Sequence, residues 1–220
     1  MKVLIQYHER LGDVLRMLPL AKLFADRGDD VFFECKDEYA DILKCTTYVK
    51  HKKITDPYKK FDYVFNRQIW PLLYDDWRKS GKRWEEFVFG KDFPEAVDER
   101  IVLDNIWLAP DMGLYDLVAP FGISQIVRHD PMAVIKKAVE MYGKDYIVVL
   151  CPPELDINGL KAISCSSIAY MPFLIQRARN FLGINSSPSA IASAVRDSYD
   201  LIPTGNEQDD YTLGANIIRL

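Results

Sequence analysis

Hydrophobic positions near the N-terminus follow two rhythms. Val3-Leu4-Ile5 is a short continuous apolar run and predicts a buried strand. From Asp13 to Asp26 the spacing becomes helical. Val14, Met17, Leu18, Ala21 and Phe24 share one face, and Arg16, Lys22 and Asp26 fall on the wet side. Pro19 lies inside this helix and predicts a kink, because its ring removes a backbone donor. Gly28 marks the stop. Val31-Phe32-Phe33, rich in strand formers, predicts a second strand. Strand, helix and strand in this order form a βαβ unit, the building block of parallel sheets.

The alternation continues. Asp37–Leu43 predicts a short helix, and Asp62–Phe65 and Ile101–Leu103 predict strands. The intervening residues 67–97 are dense in charge and in aromatic side chains (Trp70, Tyr74, Trp77, Trp84, Phe87, Phe89), which fits helical and irregular structure. Asp111–Phe121 reads as a helix ending at Gly122. A second series opens at Asp130-Pro131, where proline suits a first helical turn. Met132–Tyr142 has helical spacing and stops at Gly143, and Tyr146–Leu150 predicts a strand closed by Pro152-Pro153. Ser166 or Ser167 caps a helix running to about Arg179. Asn180–Ile184 predicts a strand, Ser189–Val195 a helix and Tyr199–Ile202 a final strand. No internal repeat is present. The economical architecture is two successive α/β lobes dividing near residues 122–130, with residues 1–125 in the first and 126–220 in the second.

Composition narrows the class. With 220 residues, 49% hydrophobic and 12% aromatic, the chain has enough apolar material for a core, which excludes disorder as its main description. No apolar run approaches the roughly 18–20 residues of a membrane span, and the N-terminus turns polar too early for a signal peptide. Cys35, Cys45, Cys151 and Cys165 lack CxxC spacing, so neither a zinc knuckle nor a disulfide framework is expected. A reduced, cytoplasmic protein is the expectation. The net charge of −4 is uneven: residues 1–100 carry 19 Lys/Arg and 19 Asp/Glu, and the rest carry nine and 13. Within the neutral half lies a basic run of Lys44, Lys50, Lys52, Lys53, Lys59 and Lys60 against Asp56. It reads either as a solvated loop or as a surface for a phosphate-bearing partner. A dedicated duplex-DNA reader would be more basic overall.

Open parallel sheets bind ligands at the carboxyl ends of their strands, and two such ends carry candidate chemistry. The first is His8-Glu9-Arg10-Leu11-Gly12-Asp13, where Gly12 permits a tight turn. Asp13 reads either as a helix N-cap or as a general base within reach of a substrate hydroxyl. A helix N-terminus lowers a carboxylate pKa and weakens it as a base. No GxGxxG fingerprint is present. The second end is Gly183-Ile184-Asn185-Ser186-Ser187-Pro188-Ser189, whose small hydroxyl residues before a helix suit a phosphate or an ordinary serine cap.

Together these segments resemble the family 9 glycosyltransferases, the heptosyltransferase-like enzymes of bacterial lipopolysaccharide assembly. Lys2-Val3-Leu4-Ile5 followed by Arg10-Leu11-Gly12-Asp13-Val14-Leu15-Arg16-Met17-Leu18-Pro19 is similar to their opening strand, Gly-Asp motif and helical proline. Arg177 through Ala194 resembles their C-terminal donor motif. The resemblance implies a GT-B fold of two Rossmann-like lobes, the second reduced, and an inverting displacement without metal or cofactor. The donor is then a nucleotide-diphosphate sugar, and the acceptor a hydroxyl on a glycan, a lipid-linked molecule or another compound. Asp13 would deprotonate the acceptor, and Arg10 and Gly12 would bind it. Asn185, Ser186, Ser187, Ser189 and Arg128 would hold the donor, with helix N–H groups stabilising the leaving diphosphate. This chain departs from the pattern in having Asn185, Ser187 and Ala190 where the family has Asp, Gly and His.

Two alternatives stand beside transfer of a hexose or heptose. One is a GT-B scaffold that binds nucleotide sugars without turnover, consistent with those departures. The other is a glycosyltransferase acting on nucleic acid, which the lysine run and the 70–89 aromatics would grip by charge and stacking. That partner is less favoured, because the aromatics read more simply as core. In the GT-B plan the polar tail would bring Gln208–Tyr211 near the cleft, although an exposed acidic loop fits its composition as well.

Overall fold

β1 (Lys2–Gln6) is the hinge of the first sheet, and all but its ends are buried. The computed structural model describes the chain apart from residues 54–59, 70–71, 109–111, 123–128, 152–156, 158, 204 and 206–212. After β1 come α1 (Leu11–Arg16), α2 (Leu18–Asp26), β2 (Asp30–Glu34), a 3-10 turn (Asp37–Tyr39) and α3 (Ala40–Leu43). β3 (Lys50–His51), β4 (Tyr63–Phe65), α4 (Tyr74–Ser80), α5 (Trp84–Val88) and a second 3-10 turn (Pro94–Ala96) complete the unit Met1–Ile106. The sheet order is β3-β2-β1-β4, parallel throughout.

The single helix predicted over Asp13–Asp26 is two helices that meet at Met17. Pro19 occupies the second position of α2, where its missing N–H costs nothing. The Met17 N–H is shared between the Asp13 and Val14 carbonyls, both at 3.2 Å. The predicted strand Ile101–Leu103 forms no regular element and has no sheet partner among the described residues. Its Val102 carbonyl accepts the Tyr48 hydroxyl at 2.7 Å instead.

The second unit, Trp107–Leu220, contains β5 (Asp116–Ala119), α6 (Pro131–Tyr142), β6 (Ile147–Leu150) and β7 (Lys161–Ile163). A 3-10 turn (Ile168–Tyr170) follows, capped by Ser167, then α7 (Met171–Arg177), β8 (Phe181–Ile184), α8 (Ser187–Val195), β9 (Tyr199–Ile202) and β10 (Ala215–Ile217). The parallel order is β10-β9-β8-β5-β6-β7. Counted along the unit, this is the 3-2-1-4-5-6 order of a doubly wound Rossmann sheet. Val134, Ile135 and Ala138 of α6 pack with Val118, Val149 and Leu182 of the central strands into one buried cluster.

Asp111–Phe121 is therefore not a helix, and the boundary expected between residues 125 and 126 falls at 106/107. β5 belongs to the second sheet, paired with both β6 and β8. All four of its residues are buried, so the segment shows no alternation and is too short to show a period. β7 and β10, both missed, are edge strands of three residues with exposed side chains and little apolar signal. The Gln208–Tyr211 segment, Arg128 and Trp70 lie outside the described residues. No helix among the described residues is long and apolar enough to cross a membrane.

Candidate functional site

Each sheet reverses its winding beside one strand pair: β1 with β4 in the first unit, and β5 with β8 in the second. The crevice outside the carboxyl ends of such a pair is where doubly wound sheets take ligands. The loops after β1 and after β8, the two singled out by sequence, both open at these places.

In the first unit Arg10 is the N-cap of α1 by backbone conformation, with φ −84° and ψ 162°, and its side chain is exposed and makes no cap bond. Asp13 is thus not the N-cap; it is the third helical residue. Its carboxylate reaches back to accept the Arg10 N–H, as the acidic member of a capping box does. Gly12 sits half-buried in the same turn without a positive φ, so its value there is the missing side chain rather than a special backbone angle.

Burial dominates the electrostatics of Asp13. Desolvation raises its pKa above 3.8, outweighing Arg16, the Arg10 N–H and the Arg10 charge, which lower it. This overturns the expectation that the helix terminus leaves a weak base. A carboxylate raised in this way is a stronger proton acceptor once ionised.

The groups that act with Asp13 come from α1, α5, the residue after β1 and the first 3-10 turn, and Glu34 ends the neighbouring strand. Arg16, assigned to the wet side by periodicity, is buried, and so is its partner Glu85 on α5. Nε of Arg16 donates to Oε1 of Glu85 at 2.6 Å and Nη2 to Oε2 at 3.0 Å. The guanidinium lies 4.8 Å from the Trp84 ring centroid, and Tyr7 meets that ring edge-on at 5.9 Å. Tyr7 is fully buried, and among the described residues its hydroxyl makes no well-formed hydrogen bond. Desolvation, with the Asp13 and Glu9 charges, pushes the phenol well above its usual value and keeps it protonated. From the first 3-10 turn Tyr39 is pushed up to about 12, mainly by desolvation and a Glu38 hydrogen bond, with Arg10 and Asp13 also acting on it. Glu34, at the end of β2, is buried, accepts Gln6 Nε2 at 2.6 Å and lies 4.0 Å from His8 Nε2. Sequence reading missed Tyr7, Glu34 and Glu85. Only the sheet order places the ends of β1 and β2 side by side, and no local pattern joins α1 to α5.

In the second unit β8 and α8 approach closely. Any side chain on Gly183 would strike the Ser189 hydroxyl and the Phe181 ring. Ser189 is buried, and its hydroxyl donates to the Ile184 carbonyl at 2.6 Å, so it ties helix to strand. Asn185, Ser186 and Ser187 are half-buried at the mouth of the loop. Ser186 is the N-cap, and its hydroxyl reaches the Ile184 carbonyl at 3.2 Å. Pro188 has no N–H, and the Ser189 and Ala190 N–H groups both bond the Ser186 carbonyl. Among the described residues, Ser187 is therefore the first-turn residue whose N–H has no backbone acceptor within α8. Ala190, at the departed histidine position, is buried in the helix–sheet packing.

The basic run is largely neutralised where it is described. Lys44 pairs with Asp41, Lys50 with Asp30 and Lys53 with Asp37, while Lys50 and Lys52 cover the Phe32 ring. Lys59 lies outside the described residues. Trp77, Trp84 and Phe89 are buried, so they form core rather than a stacking platform.

Solved structures share this fold. The chain superposes on TibC, the iron-containing dodecameric glycosyltransferase of enterotoxigenic E. coli H10407, with a TM-score of 0.61 at 14% identity over 92% of its residues. It superposes on E. coli heptosyltransferase WaaC with ADP-2-deoxy-2-fluoro heptose at 0.62, with 12% identity over 100% of this chain and 93% of that one. A family 9 glycosyltransferase from Veillonella parvula DSM 2008 gives 0.66, with 9% identity over 99% and 85%. The fold is that of the family 9 glycosyltransferases. The chain spans 59% of the length of TibC. No family model matches the sequence, and no curated protein matches it. Within this glycosyltransferase fold, Asp13 and the β8 loop fall at the carboxyl ends of strands, one in each unit.

Proposed function

We propose that the protein is a glycosyltransferase that moves a sugar from a nucleotide-diphosphate donor to a hydroxyl acceptor by metal-independent, inverting displacement. One observation carries this reading: a half-buried carboxylate of raised pKa, Asp13, sits in the first helical turn at the carboxyl edge of a parallel sheet. Asp13 takes the proton from the acceptor hydroxyl as its oxygen attacks the anomeric carbon. The bond from that carbon to the diphosphate oxygen breaks, and the electron pair leaves with the nucleoside diphosphate. Arg10 and Gly12 border the acceptor, one by charge and one by leaving room for it. Asn185, Ser186 and Ser187, with the Ser187 N–H, meet the donor phosphates. Arg128, outside the described residues, is the candidate for a positive charge toward the donor. Ser189 supports the loop from behind.

The nature of the similar structures supports a nucleotide-sugar donor, since TibC was solved in complex with ADP-D-beta-D-heptose and WaaC with ADP. The test is transfer and donor hydrolysis with a panel of nucleotide sugars, wild type against Asp13→Asn. Transfer that survives the substitution undiminished would remove Asp13 from the base role. The scaffold-only alternative draws on the proline at the second position of α8, which leaves few helix donors for a diphosphate. Donor binding with no turnover across a broad acceptor set would favour it.

A further inference from the structure

The charge that most lowers the Asp13 pKa sits on Arg16, one helical turn later on α1. That charge does not act alone. Glu85, from a helix far along the chain, takes both Nε and Nη2 of Arg16 in a paired, two-bond contact. Both side chains are buried, and the Trp84 ring lies against the guanidinium. The pair is thus held away from water, where charges act on each other most strongly. Its two members act oppositely on Asp13: Arg16 favours the ionised carboxylate and Glu85 disfavours it.

We propose that Glu85 is a positioning residue for the Asp13 base: by holding Arg16, it offsets a charge that would otherwise act undivided on the catalytic carboxylate. The inference rests on the base reading of Asp13. The remaining groups around the carboxylate are Arg10 at the helix cap, Tyr7 after β1 and Tyr39 from the 3-10 turn. Glu85 is bonded to Arg16, so substitution there acts on Asp13 through the Arg16–Glu85 pair. Without the Glu85 charge, Asp13 ionises more easily and accepts the acceptor's proton less well. Glu85 touches no substrate in this scheme; it sets base strength by its charge and by its hold on Arg16.

The experiment is a pH titration of the Asp13 carboxyl by 13C NMR, assigned with Asp13→Asn. It is run on the wild type, Glu85→Gln, Glu85→Asp and the double variant Arg16→Met/Glu85→Met. Glu85→Gln should lower the Asp13 midpoint by about a few tenths of a pH unit, less than the Arg16 charge itself does, because Glu85 is the weakest of the groups acting on that carboxylate. Glu85→Asp keeps the pair at a longer reach, so it should shift the midpoint less in the same direction. It carries the test if the glutamine variant does not fold. The double variant, lacking both charges, should place the midpoint above wild type, because Arg16 lowers it more than Glu85 raises it. The acid limb of kcat/KM should follow the midpoint downward in Glu85→Gln while kcat falls. An unmoved or raised midpoint, or a double variant that keeps the lowered one, would overturn the role of Glu85. If Asp13→Asn is inactive in that case, the base role stands without it. Transfer undiminished in Asp13→Asn would instead remove the base role whatever the midpoints show.

Discussion

The Ser189 hydroxyl donates to the Ile184 carbonyl at 2.6 Å, and this bond fixes the first turn of α8 against the end of β8. The contact is possible because Gly183 leaves room that a methyl group would fill. Ser189→Ala should destabilise the protein by about 1 kcal/mol, because it removes the shorter of the two hydroxyl donors to the Ile184 carbonyl and leaves Ser186 as the other. Gly183→Ala should cost a similar amount by overpacking. The double variant should cost less than the two together, since both act at one contact. Thermal unfolding of the three variants checks this.

Asp13→Asn should abolish transfer, with a loss of about 10²–10⁴-fold, and at the same time raise Tm at neutral pH. The folded pKa of Asp13 lies above its unfolded value, so the folded state holds the proton more tightly. The contribution to stability is full below the unfolded pKa and is lost as pH rises through the folded one. At neutral pH the buried charge is therefore a cost, and asparagine removes it. The difference in Tm between variant and wild type should shrink as the pH falls through this window.

The same shift places the acid limb of the pH–rate profile. Transfer needs the ionised carboxylate, so kcat/KM should fall with decreasing pH around a midpoint above 3.8, the ordinary aspartate value. A limb at or below that value would show that burial does not govern the base.

Tyr7→Phe should raise Tm. Among the described residues the buried hydroxyl has no well-formed hydrogen bond, and the ring's edge-on contact with Trp84 survives the substitution. Removing an unsatisfied buried polar group is worth about 1–3 kcal/mol. A drop in Tm would mean that the hydroxyl is satisfied in solution.

The four cysteines are free thiols, with Cys35 pushed up to about 12 and Cys165 to about 11 by burial. The thiolate is the reactive form. Near pH 8 a thiol reagent should therefore label the native protein slowly and the unfolded protein fully at all four positions.

Local pattern was enough to show the strand–helix alternation, the parallel sheets and the two loops worth watching. Val3–Ile5, Met132–Tyr142 and Tyr199–Ile202 announced themselves through period and length, which depend only on neighbours along the chain. Asp111–Phe121 misled because β5 is buried on every side, and uniform burial erases the period that separates strand from helix. The Met17 break was legible only as a kink, since proline signals disruption without saying where the backbone yields.

The chemistry divided along the same line. Gly12, Asp13 and the serines before α8 could be named from sequence because loop and cap chemistry is local. The strength of Asp13 as a base could not, because burial and the Arg16–Glu85 pair set it, and those arise only when α5 packs on α1. Arg16 illustrates the reason: one helix's periodicity places it toward water, and a second helix covers it. Sequence by itself determined which residue types stand at the ends of the strands. Tertiary structure alone decided which of them are dry, which charges face one another and which hydroxyls are already engaged, because desolvation and Coulomb forces depend on distance in space and not along the chain.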